Sequence, residues 1–477
     1  MMKVCLLNDS FPPVIDGVAN VVLNYADVMV KNKLADIVVG TPEYPKTDYS
    51  VYPYRVIPYN SIDTTKIVKG YRAGNPLDIK EYKELTEFRP DIIHTHCPVS
   101  STYMARMIRS VTNTPIVFTY HTKFDEDIAK AVKSEFLRNE TAKVLSRNIE
   151  ACDEVWVVSE GAGENMRSLG YKGDYRVMNN GVDFAKGRVD DDTVAKVTAD
   201  YDLPDGVPVF LFVGRIIEYK GIPIIIDAMS ALKAAGVDFR MIFIGSGPEL
   251  EKYKALVDER GLNDRSECGK CIFTGPIYDR DELRAWNTRA DVFIFPSTYD
   301  TNGIVVREAA ACGLASILIK GSCAAEGITD GRNGYLIEKT AEDLSELLKN
   351  IIVDIDKVHE VGQHAMDEIY ISWNDSVHAA HERYGELIDI YKSGQKATNR
   401  KHIMYDSLGE LSDDVLQAIA DIGKKPYLKF DNMLDNIEDY AENKFAEFEE
   451  YIQSHYDRFK VSIHNANDEI NKFFKDM

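Results

Sequence analysis

The run Phe295 to Gly313, FPSTYDTNGIVVREAAACG, carries the densest chemistry in the chain. An apolar strand, VFIF, stops at Pro296; a turn-rich loop follows, and Gly303 opens a helix. Asp300 and Glu308 flank seven residues, so one carboxylate sits on the loop and the other about one turn into the helix. Between them lie the free N–H groups of a helix start, which attract anions because they are unpaired and stand at the positive end of the helix dipole. Carboxylates beside such a start suit the hydroxyls of a sugar or a ribose. One short segment therefore has the parts to hold a sugar phosphate by both its charge and its hydroxyls.

A second set follows the strand VFLFV, in the pattern GRIIEYKG. Gly214, Arg215 and Lys220 place two cations at a strand's carboxyl end, where they would neutralise the charge developing on a departing diphosphate. Taken alone, the pair also reads as a surface arginine and a lysine on a helix face. Gly245, Ser246 and Gly247 end the next strand; tight loop packing explains them as well as phosphate contact does. In FPPVIDG, Gly17 would let a substrate approach the backbone closely. Asp16 beside it is either a contact for a sugar or acceptor, or a helix cap. His121 follows PIVFTY and can donate to a sugar hydroxyl or orient an acceptor. His94 and His96 stand on the same side of a neighbouring strand, yet they lack a third metal ligand. The triplet Asp125 to Asp127 suits a helix start better than a cation, and Cys268 and Cys271 lack a second pair to complete a zinc site. The sequence thus points to no metal and no cofactor.

These residues need elements to position them. The first stretch, residues 1–181, alternates β-rich runs (KVCLL, DIVVG, DIIHTH, PIVFTY, EVWVVS) with helical patterns, one after Gly17 and one around Lys130 to Glu150. A polar break from Val182 to Pro208 follows, and the alternation restarts over 182–372 with VFLFVG, FRMIFIG, CIFTG, DVFIFP and ASILI. The expected class is α/β, with two parallel-sheet Rossmann-like domains and a C-terminal helical extension. In such sheets, ligands bind beyond the carboxyl ends of the strands, where every loop named above lies. A helix over 373–395 comes next. In the tail, 396–477, Met433, Ile437, Tyr440, Phe448, Ile452, Phe459 and Ile463 recur at steps of three, four or their sums, an amphipathic stripe that would dock on the body of the protein, on another copy by self-association, or on a membrane surface.

Size and charge narrow the classes. At 477 residues, two or three domains are expected. A net charge of −21 speaks against a nucleic-acid partner. No apolar stretch is long enough to span a bilayer, and MMKVCLLNDSFPP lacks the pattern of a signal peptide. Seven scattered cysteines suit reduced thiols in a cytoplasm.

Together these pieces resemble the family-4 retaining glycosyltransferases of the GT-B fold. The likeness runs from residue 3 to about 391 through FPPVIDGVAN, RPDIIHTH, TYHT, VWVVSEG, NNGVD, VGRIIEYKG, IGSGPELE, FTGPI, FPSTYDTNGIVVREAAACG, DGRNGYLI and SWNDSVHAAHERY, in the family's order. The resemblance implies two facing domains with a nucleotide sugar between them, and a Trp373 helix returning to the first. It implies that Gly214, Arg215 and Lys220 bind the diphosphate, with Gly17 against it, and that Glu308 holds the ribose. Asp300 and the backbone at Gly303 and Ile304 would hold the sugar, His121 would touch it near the reacting carbon, and Pro276 and Ile277 would face the base. The family usually has glutamate where this chain has Asp300, and a bulky apolar residue where it has Asn302. Both differences bear on which sugar is bound. No metal or cofactor is implied.

TYHTKFDED is similar to a segment of enzymes that glucosylate diacylglycerol. The expectation is transfer of a hexose, glucose from a UDP donor, to a membrane glycerolipid, by a protein at the inner face of the membrane. The cations of Lys130 to Arg147 would either meet the anionic surface or form a solvated helix face. Asp16 would be the acceptor-side residue. The alternatives are transfer to a soluble sugar, polyol or polysaccharide, and a non-catalytic scaffold on the same fold. Donor hydrolysis separates enzyme from scaffold, and binding to liposomes separates lipid from soluble acceptors.

Overall fold

The structure, a computed structural model, describes residues 1–14, 16–63, 72–74, 79–125, 135–263 and 265–393. The tail stripe, Glu126, Asp127, Lys130 and Lys133 lie outside them. Two compact units result. The first comprises residues 1–157 and 164–176 and the last helix from Ala380; the second comprises 158–163 and 177–379. Residues 158–163 belong to the second because Ser159 donates to the Thr301 carbonyl, while the N–H groups of Glu160 and Gly161 both reach the Glu326 carboxylate at 2.7 Å.

The first unit is built on a seven-stranded sheet, in the order Arg55–Tyr59, Ala35–Pro42, Met2–Leu7, Ile92–Thr95, Ile116–Tyr120, Glu154–Val157 and Arg176–Val177. The strands are continuous apolar runs, as a parallel sheet covered on both faces requires. Helix Gly17–Lys31 buries Ala19, Val22, Ala26 and Met29 at helical spacing. The strand Arg55–Tyr59 was not apparent in the sequence, because Pro58 breaks its pattern; it is an edge strand, where a missing N–H is tolerated. Helix Trp373–Lys392 sets Tyr384 flat on Trp156, 5.5 Å between ring centres, and pairs Arg383 with Glu154.

The second unit has a six-stranded sheet, in the order Lys270–Gly275, Arg240–Ile244, Val209–Val213, Val292–Phe295, Ala315–Ile319 and Tyr335–Ile337. Its core is one cluster in which Phe210, Phe212, Phe243, Phe293 and Phe295 are buried. Helix Ile222–Ala234 covers it with Ile222, Ile225, Ile226, Met229 and Leu232. The expected polar break between the domains holds a helix, Asp191–Thr198. Asp190 caps it through the N–H of Thr193, and Asp191 and Asp192 in its first turn suit the positive end of its dipole, so the acidic run is a helix start.

One glycine fixes the geometry that follows. Gly221 has φ +79°, and a Cβ there would lie 2.4 Å from the Pro296 carbonyl oxygen. Only glycine lets the loop after Val213 rest on the loop after Phe295. Gly221→Ala should therefore cost about 2–4 kcal/mol through backbone strain and overpacking. A denaturant midpoint equal to the wild type's would show that the two loops are not wedged in this way.

Candidate active site

In the second unit the order of strands reverses at Val209–Val213, which lies between Arg240–Ile244 and Val292–Phe295. The carboxyl ends of strands at such a reversal flank a crevice, the usual binding place of such sheets, and here the loops after Val213 and Phe295 meet where Gly221 rests on Pro296. Both chemistry-bearing segments follow these two strands. After Val213, the Gly214 N–H donates to the Ile244 carbonyl, and a Cβ at Gly245 would lie 1.9 Å from the Gly214 carbonyl oxygen. A Cβ at Gly247 would lie 2.2 Å from the Ile216 carbonyl oxygen. The glycines of this GSG therefore serve close loop packing. Arg215 is exposed and makes no hydrogen bond or ion pair among the described residues. Lys220 ends a single 3-10 turn, Glu218–Lys220, rather than standing on a longer helix face.

Lys220 Nζ lies 2.5 Å from Asp300 Oδ1, and Ser297 Oγ donates to Asp300 Oδ2 at 2.5 Å. The ammonium also sits 5.1 Å from the centre of the Phe295 ring. Helix Ile304–Ala311 begins at Gly303, whose φ of +57° is left-handed and which offers no side-chain cap. The N–H groups of Gly303, Ile304 and Val305 have no acceptor among the described residues, which leaves an open anion-binding start. Glu308 is 8% exposed, and Arg280 Nη2 reaches its Oε1 at 2.5 Å. Burial raises the Glu308 pKa above the usual carboxylate range, and the Arg280 guanidinium opposes that rise. Arg280 lies over Phe184, 4.4 Å from its ring centre. Reading the sequence missed Arg280, because only tertiary structure brings it to Glu308. Pro276 is exposed and Ile277 half-buried in the next loop, where Tyr278 is 80% exposed. Both amide atoms of Asn302 are buried without partners among the described residues.

The first unit has its own reversal, at Met2–Leu7 between Ala35–Pro42 and Ile92–Thr95. Here Asp16 is the cap of helix Gly17–Lys31: its Oδ2 accepts from the Ala19 N–H at 3.3 Å and from Ser10 Oγ at 2.7 Å. A Cβ on Gly17 would meet nothing within 4 Å, so open space lies beside it. His121 Nε2 lies 3.0 Å from His96 Nδ1, a partner that reading the sequence did not assign to it. His94 holds Tyr384 Oη at 2.5 Å and Thr119 Oγ1 at 2.6 Å, so both its nitrogens are engaged and it serves packing rather than a metal. Among the described residues no three histidine, cysteine or carboxylate side chains stand where they could share a metal ion. Cys271 is buried, and Cys268 donates to the Val237 carbonyl.

Two family descriptions match consecutive stretches of the chain: Glycosyltransferase Family 4 over residues 15–186, and Glycosyl transferases group 1 over residues 195–367. The chain belongs to the family-4 glycosyltransferases. Alpha-monoglucosyldiacylglycerol synthase of Acholeplasma laidlawii is 23% identical over 361 residues, covering 74% of this chain and 87% of that protein. Sulfoquinovosyl transferase SQD2 of Arabidopsis thaliana is 27% identical over 299 residues, covering 60% of this chain and 54% of that protein. Among solved structures, sucrose-phosphate synthase of Thermosynechococcus elongatus has a TM-score of 0.64 at 21% identity, covering 82% of this chain and all of that one. Anabaena HepE, in complex with UDP and glucose, has a TM-score of 0.61 at 17% identity, with the same coverage. These likenesses show the GT-B fold of two Rossmann-like domains.

For this glycosyltransferase the neutral histidines give a pH signature. Burial pushes the His121 pKa down to about 3, and burial also lowers His94 and His96. A depressed histidine contributes stability above its unfolded pKa, and loses it as protons bind the unfolded chain below about 6.5. Between pH 7 and pH 5, the wild type should lose about 2 kcal/mol of stability more than His121→Gln does. Denaturant titrations of the two proteins at both pH values measure this. Equal losses would mean that His121 titrates normally in the folded protein.

Proposed function

We propose that this glycosyltransferase is a retaining, metal-independent hexosyltransferase that moves glucose from UDP-glucose to a membrane glycerolipid of the diacylglycerol type. The observation that carries the reading is that, at one strand reversal, the loop bearing Lys220 and the exposed Arg215 meets the loop that leads into the uncapped start of Ile304–Ala311. That is a diphosphate site by its charge. Glu308, a buried acceptor one turn further on, suits ribose hydroxyls, and the loop of Pro276 and Ile277 suits a base. The backbone at Gly303 and Ile304 suits the sugar. Gly17, with open space beside it, suits close approach of the diphosphate, and His121 suits a sugar hydroxyl.

In the reaction, the acceptor hydroxyl attacks the anomeric carbon on the face from which UDP leaves. The bond from that carbon to the diphosphate oxygen breaks, the bond to the acceptor oxygen forms, and the acceptor proton passes to the departing phosphate. Lys220 and Arg215 stabilise the charge that develops there. The lipid acceptor rests on the names of the relatives, two of them alpha-monoglucosyldiacylglycerol synthases. It is supported by helix Glu135–Glu150, where Lys143 and Arg147 are exposed one turn apart. Among the described residues no helix is long and apolar enough to cross a membrane, so attachment to the inner face would be peripheral.

With diacylglycerol vesicles and UDP-glucose, the protein should form a glucosyl lipid of unchanged anomeric configuration, read by proton NMR. Lys220→Ala should fold normally and lose about 100- to 1000-fold in turnover. Transfer only to a soluble sugar or polyol would refute the lipid acceptor. Absence of UDP release with every sugar donor would refute catalysis itself.

A further inference from the structure

We propose that Asp300 acts through Lys220: it is a positioning residue that fixes the ammonium in the crevice, and it does not itself contact the transferred sugar. The inference rests on the diphosphate role given to Lys220 above. Three observations carry it. Both carboxylate oxygens of Asp300 are engaged inside the unit, Oδ1 by Lys220 Nζ and Oδ2 by Ser297 Oγ, each at 2.5 Å. The side chains of Lys220 and Asp300 are only 13% and 23% exposed, so the pair is largely withdrawn from water and weakly screened. The backbone under Lys220 is held as well, because Gly221 rests on the Pro296 carbonyl and Ser297 follows directly.

The chemistry of a short acid explains the arrangement. Aspartate is one methylene shorter than glutamate, so Asp300 stays back on Ser297 and Lys220 rather than extending from the loop. A free lysine loses rotamer entropy when a ligand immobilises it. The Asp300 contact and the Phe295 ring restrict it before any ligand arrives, which removes part of that cost from binding. An ammonium has three N–H donors; one goes to Asp300, leaving two for phosphate oxygens. The pair is formally neutral, so the exposed charge of Arg215 supplies the attraction, while Lys220 supplies a preset donor geometry.

The test is a double-mutant cycle of wild type, Asp300→Asn, Lys220→Ala and the double variant. Each is titrated calorimetrically with UDP and with UDP-glucose, and its turnover is measured, with thermal midpoints confirming the fold. The proposal expects Asp300→Asn to change affinity for UDP and UDP-glucose by the same factor, to within about twofold, and to lower kcat by about tenfold or more. In the Lys220→Ala background the same substitution should change neither affinity by more than about twofold. A sugar contact predicts the opposite: weaker UDP-glucose binding, unchanged UDP binding, and the same loss with or without Lys220. That outcome overturns the proposal, as does an Asp300→Asn protein with wild-type affinities and kcat. If the wild type binds neither ligand, the diphosphate reading fails, and this inference falls with it.

Discussion

The second unit depends on a set of helix-start N–H groups with no acceptor among the described residues, at the point where a parallel sheet reverses its strand order. Helix Ile304–Ala311 enters through a left-handed glycine with no capping side chain, so its first donors have nowhere to go within the described chain. Such an end is unfavourable unless water or an anion fills it. Everything nearby serves that gap. Gly221 wedges one loop on the other, the glycines after Ile244 let a third loop close in, and Asp300 and Ser297 hold Lys220 where it stands.

Charge is arranged here by burial as much as by number. The chain carries a net −21, yet the loops at this reversal carry an exposed arginine, Arg215, and an uncapped dipole end. The acids within it are held by specific cations, Asp300 by Lys220 and Glu308 by Arg280. The first unit follows a different rule. There His94, His96 and His121 are buried and neutral, His96 and His121 joined to each other and His94 to Thr119 and Tyr384. One unit thus offers fixed positive charge, and the other offers neutral hydrogen-bonding groups.

Much of this was legible in the sequence, because it is local. Strand, turn, glycine and helix follow one another from Phe295 to Gly313, and the apolar runs predicted every strand of the two large sheets except Arg55–Tyr59, Arg176–Val177 and Tyr335–Ile337. What escaped was long-range or ambiguous by type. Arg280 and Glu308 are 28 positions apart, and Lys220 and Asp300 are 80 apart; no periodicity joins such pairs. Asp16 fitted both an acceptor contact and a cap, and the nearby N–H of Ala19 made it a cap. His96 lay two residues from His94 in plain view, but its partner His121 is on another strand's end. Edge strands such as Arg55–Tyr59 are short and interrupted by proline, so their pattern is weak.

A crystal structure with UDP-glucose bound is the most direct measurement of the account. It should place the diphosphate oxygens within hydrogen-bond distance of the N–H groups at Gly303 and Ile304, with Lys220 and Arg215 on the same oxygens. A diphosphate bound elsewhere, with that helix start facing only water, would contradict it.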